Sequence, residues 1–242
     1  MLLAKLADCR KLAEGHSVLK LLLENYNITH VSYFVVNMPS AKLKSPRIAS
    51  TYSADWQRHY IQSGYVNLDP AISAGVMSLM PVNWSSLDLK NPFVKKFFGE
   101  AQEFKIGKQG ISIPVRGSMG EFAMLSVSSD MSPHEWQIHL NNFLPHLINI
   151  TYHFHNWVVR REGNMTLDER RKLTIRERQC LMWRAQGKSD RDTADLLNLK
   201  VSTVKFHMEN VRIKLEAVNT DHAIALSVSM GLISSFSNTF IP

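Results

Sequence analysis

Two periodicities alternate along the first two-thirds of the chain. The runs His30 to Val36, Arg47 to Tyr52, Gln109 to Arg116 and Glu121 to Ser128 are rich in β-branched and aromatic residues, the make-up of half-buried strands. Segments between them place apolar residues at helical spacing. The stretch Gly117 to Gly120 separates the last two runs by a hairpin-length gap, so at least part of the sheet is expected to be antiparallel. From Pro133 to Val158, the positions Trp136, Leu140, Phe143, Leu144, Leu147, Phe154 and Trp157 predict one long helix, which Pro145 is expected to kink. Tyr52, Trp56 and Tyr60 follow one another at a spacing that predicts a shared helical face.

The pattern then changes. Residues 160–173 carry dense charges of both signs with few apolar positions and read as a linker between 1–159 and 174–242. Beyond it no strand pattern occurs, and helical segments are punctuated by Gly187, Asn198 to Lys200 and Val218 to Thr220. Ser189 is placed as an N-cap with acidic residues in the following turn. In the next helix Val204, Met208, Val211 and Leu215 fall on one stripe and are expected to be core. Opposite them lie Ser202, Phe206, Glu209 and Ile213, flanked by Lys205 and Arg212, so apolar residues stand where a merely solvated face has little use for them. These residue types suit a DNA groove: Lys205 can donate to guanine, Phe206 can pack on a thymine methyl, Glu209 can accept from cytosine, and Ser202, Thr203 and Lys214 can take phosphates. Taken alone, such a helix is more often a solvated one.

Composition narrows the classes. With 242 residues, 45% hydrophobic and 20% charged, the chain has the make-up of a globular protein of one large or two ordinary domains. A formal charge of +7 suits a polyanionic partner without requiring one. Cys9 and Cys180 are the only cysteines, too far apart for a disulfide framework or a cysteine zinc site. No apolar run approaches the roughly 18 residues of a membrane span, and the opening MLLAKLADCR lacks a signal-peptide pattern, so a cytoplasmic location without a membrane partner is expected.

The segment from Leu173 to Ile233 resembles the LuxR/NarL-type helix-turn-helix. The resemblance is carried by Thr174, Glu177, Leu181, Gly187-Lys188-Ser189, Ala194, Ser202-Thr203-Val204-Lys205, His207, Asn210, Lys214-Leu215 and Gly231-Leu232-Ile233. It implies that Ser202 to Lys214 is the recognition helix. Thr193 departs from it, since members usually carry an aliphatic residue there, and so does the acidic Glu209. The first half is similar to acyl-homoserine lactone receptors, because Trp56, Tyr60, Asp69, Pro70, Trp84 and Gly110 reproduce that signature in order and spacing. Without that likeness, aromatics at this spacing are more often core than pocket. The resemblance implies that Trp56 donates its indole N–H to a lactone carbonyl and that Asp69 accepts the amide N–H. Tyr52 and Ser126 would hold the amide carbonyl, and Phe122 and Met124 would join the acyl-chain wall. The types agree with these roles, since an ionised Asp only accepts and an indole only donates.

The implied architecture is α+β: an N-terminal αβα sandwich around an antiparallel sheet, and a C-terminal all-α four-helix domain. The implied partners are duplex DNA, an acyl-homoserine lactone as signal rather than cofactor, a second copy of the chain, and RNA polymerase. Other readings weigh less. A hydrolytic triad from Ser126, Asp69 and a histidine lacks the Gly-x-Ser-x-Gly elbow and leaves the helix-turn-helix unexplained. A metal site at His139, His146, His153 or His155 has no cysteine or paired carboxylate beside it. A non-DNA-binding antagonist draws support only from Glu209, and a response regulator would need a doubly wound sheet that the pattern does not contain.

Overall fold

The computed structural model describes residues 2–9, 12–38, 47–117, 120–162 and 173–233. The chain divides into an N-terminal unit ending at Glu162 and a C-terminal unit after it.

The N-terminal unit is organised by five strands: β1 (His30–Asn37), β2 (Arg47–Ser50), β3 (Val82–Asn83), β4 (Gln109–Arg116) and β5 (Phe122–Ser129). They form one sheet in the order β2-β1-β5-β4-β3, and every neighbouring pair is antiparallel. The β4–β5 hairpin is closed by Gly117 N–H donating to the Glu121 carbonyl. Side chains alternate across this sheet, so its two faces have different tasks. The row Tyr33–Leu125–Ile113 is almost fully buried. It faces α6 (Pro133–Glu162), where Tyr33 meets Phe154 edge-on at 4.9 Å and bonds His155 Nδ1 at 2.7 Å. Helices α1 (Leu2–Asp8) and α2 (Leu12–Tyr26) precede the sheet. The loop after α1 is held by α6, because the Cys9 carbonyl accepts from Trp157 Nε1 at 3.2 Å and from Arg161 at 2.8 Å. The other face is roofed by α3 (Ala54–Gln62), α4 (Pro70–Val76) and α5 (Pro92–Glu103), which complete the expected sandwich.

Pro145 does not end α6, which continues to Glu162, past the expected start of the linker at residue 160. Proline removes one N–H, whose acceptor would be the Asn141 carbonyl, and both residues lie on the exposed side, where water can serve instead. The rest of the expected linker, except Leu173, lies outside the described residues. No helix among the described residues is long and apolar enough to cross a membrane.

The C-terminal unit contains α7 (Ile175–Ala185), α8 (Asp190–Leu197), α9 (Val201–Lys214) and α10 (Thr220–Ser229). Thr174 and Ser189 each form a capping box, with Glu177 and Asp192 reaching back to the cap N–H. Asn198 closes α8 in the left-handed region at φ 52°, which asparagine tolerates better than most residues. As the periodicity predicts, Val204, Met208, Val211 and Leu215 of α9 are buried, in one core with Leu181, Ala194 and Ala223.

Candidate functional site

Between the roofing helices and the sheet lies a cavity of about 90 Å³, lined by Tyr52, Trp56, Tyr60, Asp69, Trp84, Met124 and Ser126 among others. At about 15 Å³ per water centre and a liquid volume of about 30 Å³ each, it has room for a small organic head group and a short chain. Ile48 and Ile61 also line it and are 39% and 61% exposed, so they form a rim towards solvent.

Each wall residue is held by local structure. Ser53 caps α3 by accepting the Trp56 N–H, so α3 begins after Tyr52. Tyr52 therefore does not share a helical face with Trp56 and Tyr60, as the spacing predicted; it reaches the cavity from the bend between β2 and α3. Trp56 is 3% exposed within an aromatic cluster that includes Tyr60, Tyr65, Phe97 and Phe104. Behind that cluster Glu100 accepts from Tyr65 at 2.6 Å and from His59 at 2.7 Å, which ties α3 to α5. These bonds hold the Glu100 carboxyl below its ordinary range, while burial, reinforced by Glu100, pushes the Tyr65 phenol up to about 12.

Asp69 has a structural task that the motif reading missed. It is the N-cap of α4: its Oδ1 accepts the Ala71 and Ile72 N–H groups at 2.7 and 3.2 Å, and its Oδ2 accepts the Tyr60 hydroxyl at 2.9 Å. The Asp69-Pro70 pair carried that signal, since a capping carboxylate before a proline at the first helical position is a helix start. Burial outweighs the three donors and raises the Asp69 carboxyl, and it raises the Tyr52 and Tyr60 phenols, with Asp69 adding to both. A carboxylate has about four acceptor positions, so a fourth donor finds a place.

Trp84 lies against the backbone of Gly110; a Cβ there would stand 2.3 Å from its ring. Its Nε1 donates to Ser112 Oγ at 2.9 Å, and Ser112 and Ser126 hydroxyls are 2.7 Å apart. Phe122, expected in the acyl-chain wall, is not among the residues lining the cavity and packs under the guanidinium of its cross-strand partner Arg116 at 4.5 Å. Met124 lines the cavity as expected. Among the wall residues that sequence reasoning missed are Ser32, Phe34, Phe97 and Ala101; Ser112, bonded to Trp84 and Ser126, was missed too, and the alternation of β4 and β5 carried a signal for it as a same-face residue.

On α9, Phe206 is 62% and Ile213 61% exposed, with Ser202, Lys205 and Glu209 also exposed and Thr203 partly so. Lys200 at the N-cap gives α9 no side-chain cap, unlike Thr174 and Ser189 at α7 and α8. Two expected contacts are otherwise engaged. Arg212 Nε donates to Glu209 Oε2 at 2.9 Å, and that bond lowers the Glu209 carboxyl. The Lys214 ammonium, expected at a phosphate, lies 2.6 Å from Glu177, whose side chain is 4% exposed, so it clamps the end of α9 to the start of α7. Burial pushes the Glu177 carboxyl up, but Lys214 and the Thr174 donors prevail and lower it.

Comparisons with known proteins agree with both halves. The profile of autoinducer binding domains matches residues 12–158, and that of bacterial regulatory proteins of the luxR family matches residues 171–227. The chain is 31% identical over 207 residues to the transcriptional activator protein VanR of Vibrio anguillarum, covering 82% of each. It is 26% identical over 224 residues to the transcriptional activator protein LuxR of Aliivibrio fischeri, covering 88% of this chain and 86% of that one. Escherichia coli SdiA has the same fold, with a TM-score of 0.69, 18% identity and 96% of each chain covered; a second SdiA structure, in complex with octanoyl-rac-glycerol, gives 0.67 at 18%, with 96% and 93% covered. With a cavity in its N-terminal unit and a helix-turn-helix in its C-terminal unit, the chain belongs to the LuxR family of autoinducer-binding transcription regulators, which are not enzymes.

Proposed function

We propose that the cavity takes an N-acyl-homoserine lactone and that the chain, as a dimer, binds an inverted-repeat DNA site to control quorum-sensing genes. The observation that carries this reading is the pairing of opposite hydrogen-bond types in one small apolar cavity. Trp56 brings a donor-only indole, and Asp69, already fixed by three donors, keeps a place for one more. A lactone amide supplies a carbonyl and an N–H within a few bonds of each other. An acylglycerol such as the one bound to SdiA has hydroxyls but no amide N–H, which makes it the natural rival. Trp84 bounds the head-group end, and the acyl chain runs towards the rim at Ile48 and Ile61.

On the DNA side, Ser202, Thr203 and the uncapped first turn of α9 contact phosphates, while Lys205 and Phe206 reach bases. Arg212 serves mainly to neutralise Glu209 beside the duplex. Ligand at about 100 times its dissociation constant adds about 2.7 kcal/mol of stability to the unit that binds it. Two recognition helices about 34 Å apart then read the two half-sites. The test is fluorescence anisotropy of the full chain with an inverted-repeat duplex, with and without lactone, beside sedimentation of the same samples. The proposal expects a dimer whose duplex affinity changes with lactone; a monomer, or an affinity indifferent to every lactone offered, contradicts it.

A further inference from the structure

Of the helices that roof the cavity, two are anchored by large apolar side chains: α3 buries Trp56, and α5 buries Phe97 with Ala101. The third is different. α4 is seven residues long, and of these Pro70, Ala71 and Gly75 are the buried ones. A helix this short has no stability of its own in water, so tertiary contacts have to hold it. Its larger apolar residues supply little of that: Val76 is 43% exposed, and Ile72 lines the cavity. Beyond its end Met77, Leu79 and Met80 are 87%, 80% and 70% exposed, so the following loop adds no anchor. Ser78 Oγ closes that loop on itself, accepting the Met80 N–H at 2.9 Å and donating to the Met80 carbonyl at 2.8 Å.

α4 is instead held by a polar contact at each end. At its start Asp69 caps the helix and accepts the Tyr60 hydroxyl of α3. At its finish the Arg116 guanidinium, from the end of β4, donates to the Val76 carbonyl at 2.6 Å. The last carbonyls of a helix have no partner within it, and a cation suits the negative end of the helix dipole. The guanidinium stands 4.5 Å over the Phe122 ring, which fixes its position. Between the two ends Gly75 meets the sheet with bare backbone, since a Cβ there would stand 2.6 Å from Met124 Sδ, and it gives up little apolar area on leaving. The ends differ in depth: Pro70 and Ala71 are buried, whereas Val76 and Arg116 are exposed. Opening therefore starts at Arg116, and the Asp69 end is the hinge.

Trp56 is 3% exposed, so a ligand that reaches its indole is enclosed, and one wall has to move to let it in or out. Resting on the lactone reading above, we propose that α4 is that wall, a lid that swings from its Asp69 end and is latched by Arg116. Arg116 is not among the residues lining the cavity. It is a positioning residue that sets how often the lid opens, not which ligand the cavity prefers. An acyl chain against Ile72 gives α4 the apolar contact it otherwise lacks, so the ligand itself slows the opening of the helix that admits it.

Arg116→Met removes the donor and keeps an unbranched stem beside Phe122, and because Arg116 is exposed the change takes nothing from the core. The test is stopped-flow association and chase dissociation of N-octanoyl-homoserine lactone with the full chain, beside amide hydrogen exchange of the same protein without ligand. An exposed hydrogen bond of ordinary strength shifts the closed-to-open ratio by about fivefold. Entry and exit pass through the same open state, so the variant should raise the association and dissociation rates together by about fivefold and leave Kd within about twofold. The α4 amides from Ser73 to Val76 should exchange about fivefold faster, with those of β1 and β5 protected as in the parent. Parent-like rates and exchange overturn the inference. Faster dissociation alone also overturns it, since that makes Arg116 a determinant of affinity, as does faster exchange across the whole sheet, which makes it one of global stability. If the parent binds no lactone, the lactone reading falls and exchange alone decides the latch: faster exchange confined to α4 supports it, and parent-like protection of α4 overturns it.

Discussion

Replacing Gly110 with alanine probes the Trp84 wall of the cavity at one atom. The new Cβ would stand 2.3 Å from the Trp84 ring, whereas carbon contacts are comfortable near ~3.6 Å, so the indole has to retreat by roughly 1.3 Å. Gly110 is the second residue of β4, paired with Ser128 of β5, and cannot give way itself without disturbing the start of the ladder. The ring is rigid, and its retreat from the sheet carries it towards the cavity it lines and stretches its 2.9 Å bond to Ser112. Overpacking of this kind costs about 1–3 kcal/mol, and the weakened hydrogen bond about 1 more. For a unit of this size, 2 kcal/mol is a fall in melting temperature of about 4–8 °C. Urea or thermal unfolding of the full chain, paired with lactone titration, reads both effects. The expected result is a clear loss of stability and a loss of lactone affinity of at least about tenfold. An alanine variant that unfolds with the parent and binds lactone within twofold of it would refute the packing argument.

Other consequences follow from single contacts. Thr193 is fully buried and its hydroxyl lacks a partner among the described residues, so Thr193→Val should stabilise the C-terminal unit by about 1–2 kcal/mol in urea unfolding; destabilisation would show that the hydroxyl is satisfied. Lys214→Met strands the Glu177 carboxylate and should cost about 2–3 kcal/mol while leaving the salt dependence of DNA binding unchanged, whereas Lys205→Ala should reduce that salt slope by about one; the reverse assignment would restore Lys214 as a phosphate contact. Because the Glu177 carboxyl is lowered in the fold, its contribution is present above the unfolded pKa and lost as pH falls through the folded value, so Glu177→Gln should flatten the acid limb of the unfolding curve. Asp69 has the opposite sign: burial raises it, so its charge weighs against the empty fold as pH rises through the folded value, and a ligand N–H that pairs with the carboxylate offsets this. Lactone-induced stabilisation should therefore be larger at neutral than at mildly acidic pH, and an equal shift at both would remove Asp69 from the ligand's contacts.

How much of this was legible depended on the range of the interaction. β1, β2, β4 and β5, and the buried stripe of α9, follow from alternation and helical spacing, which are local. β3 is two residues long and leaves no period to read. The cavity wall was half legible: Trp56, Tyr60, Asp69 and Trp84 stand in a recognisable order, and the structure brings them around one space. The place of Ser32 in the wall could not be read, because it depends on register between strands far apart in sequence, and that register shifts at the irregularity between Val35 and Asn37. The place of Phe122 was hidden for the same reason, since only the pairing reveals Arg116 covering it. Lys214 looked like a free cation at the end of a recognition helix until its partner, 37 residues away, came into view.

Lactone titration of Asp69→Asn beside the parent protein bears most directly on the ligand. Asparagine keeps the α4 cap, unlike alanine, while the acceptor proposed for the amide N–H is replaced by a donor. Loss of a charge-assisted bond worth about 1.5–3 kcal/mol should lower lactone affinity by roughly 10- to 150-fold, while in the ligand-free protein the lost Tyr60 bond and the relief of the buried charge oppose each other. Parent-like affinity in the asparagine variant would contradict the account.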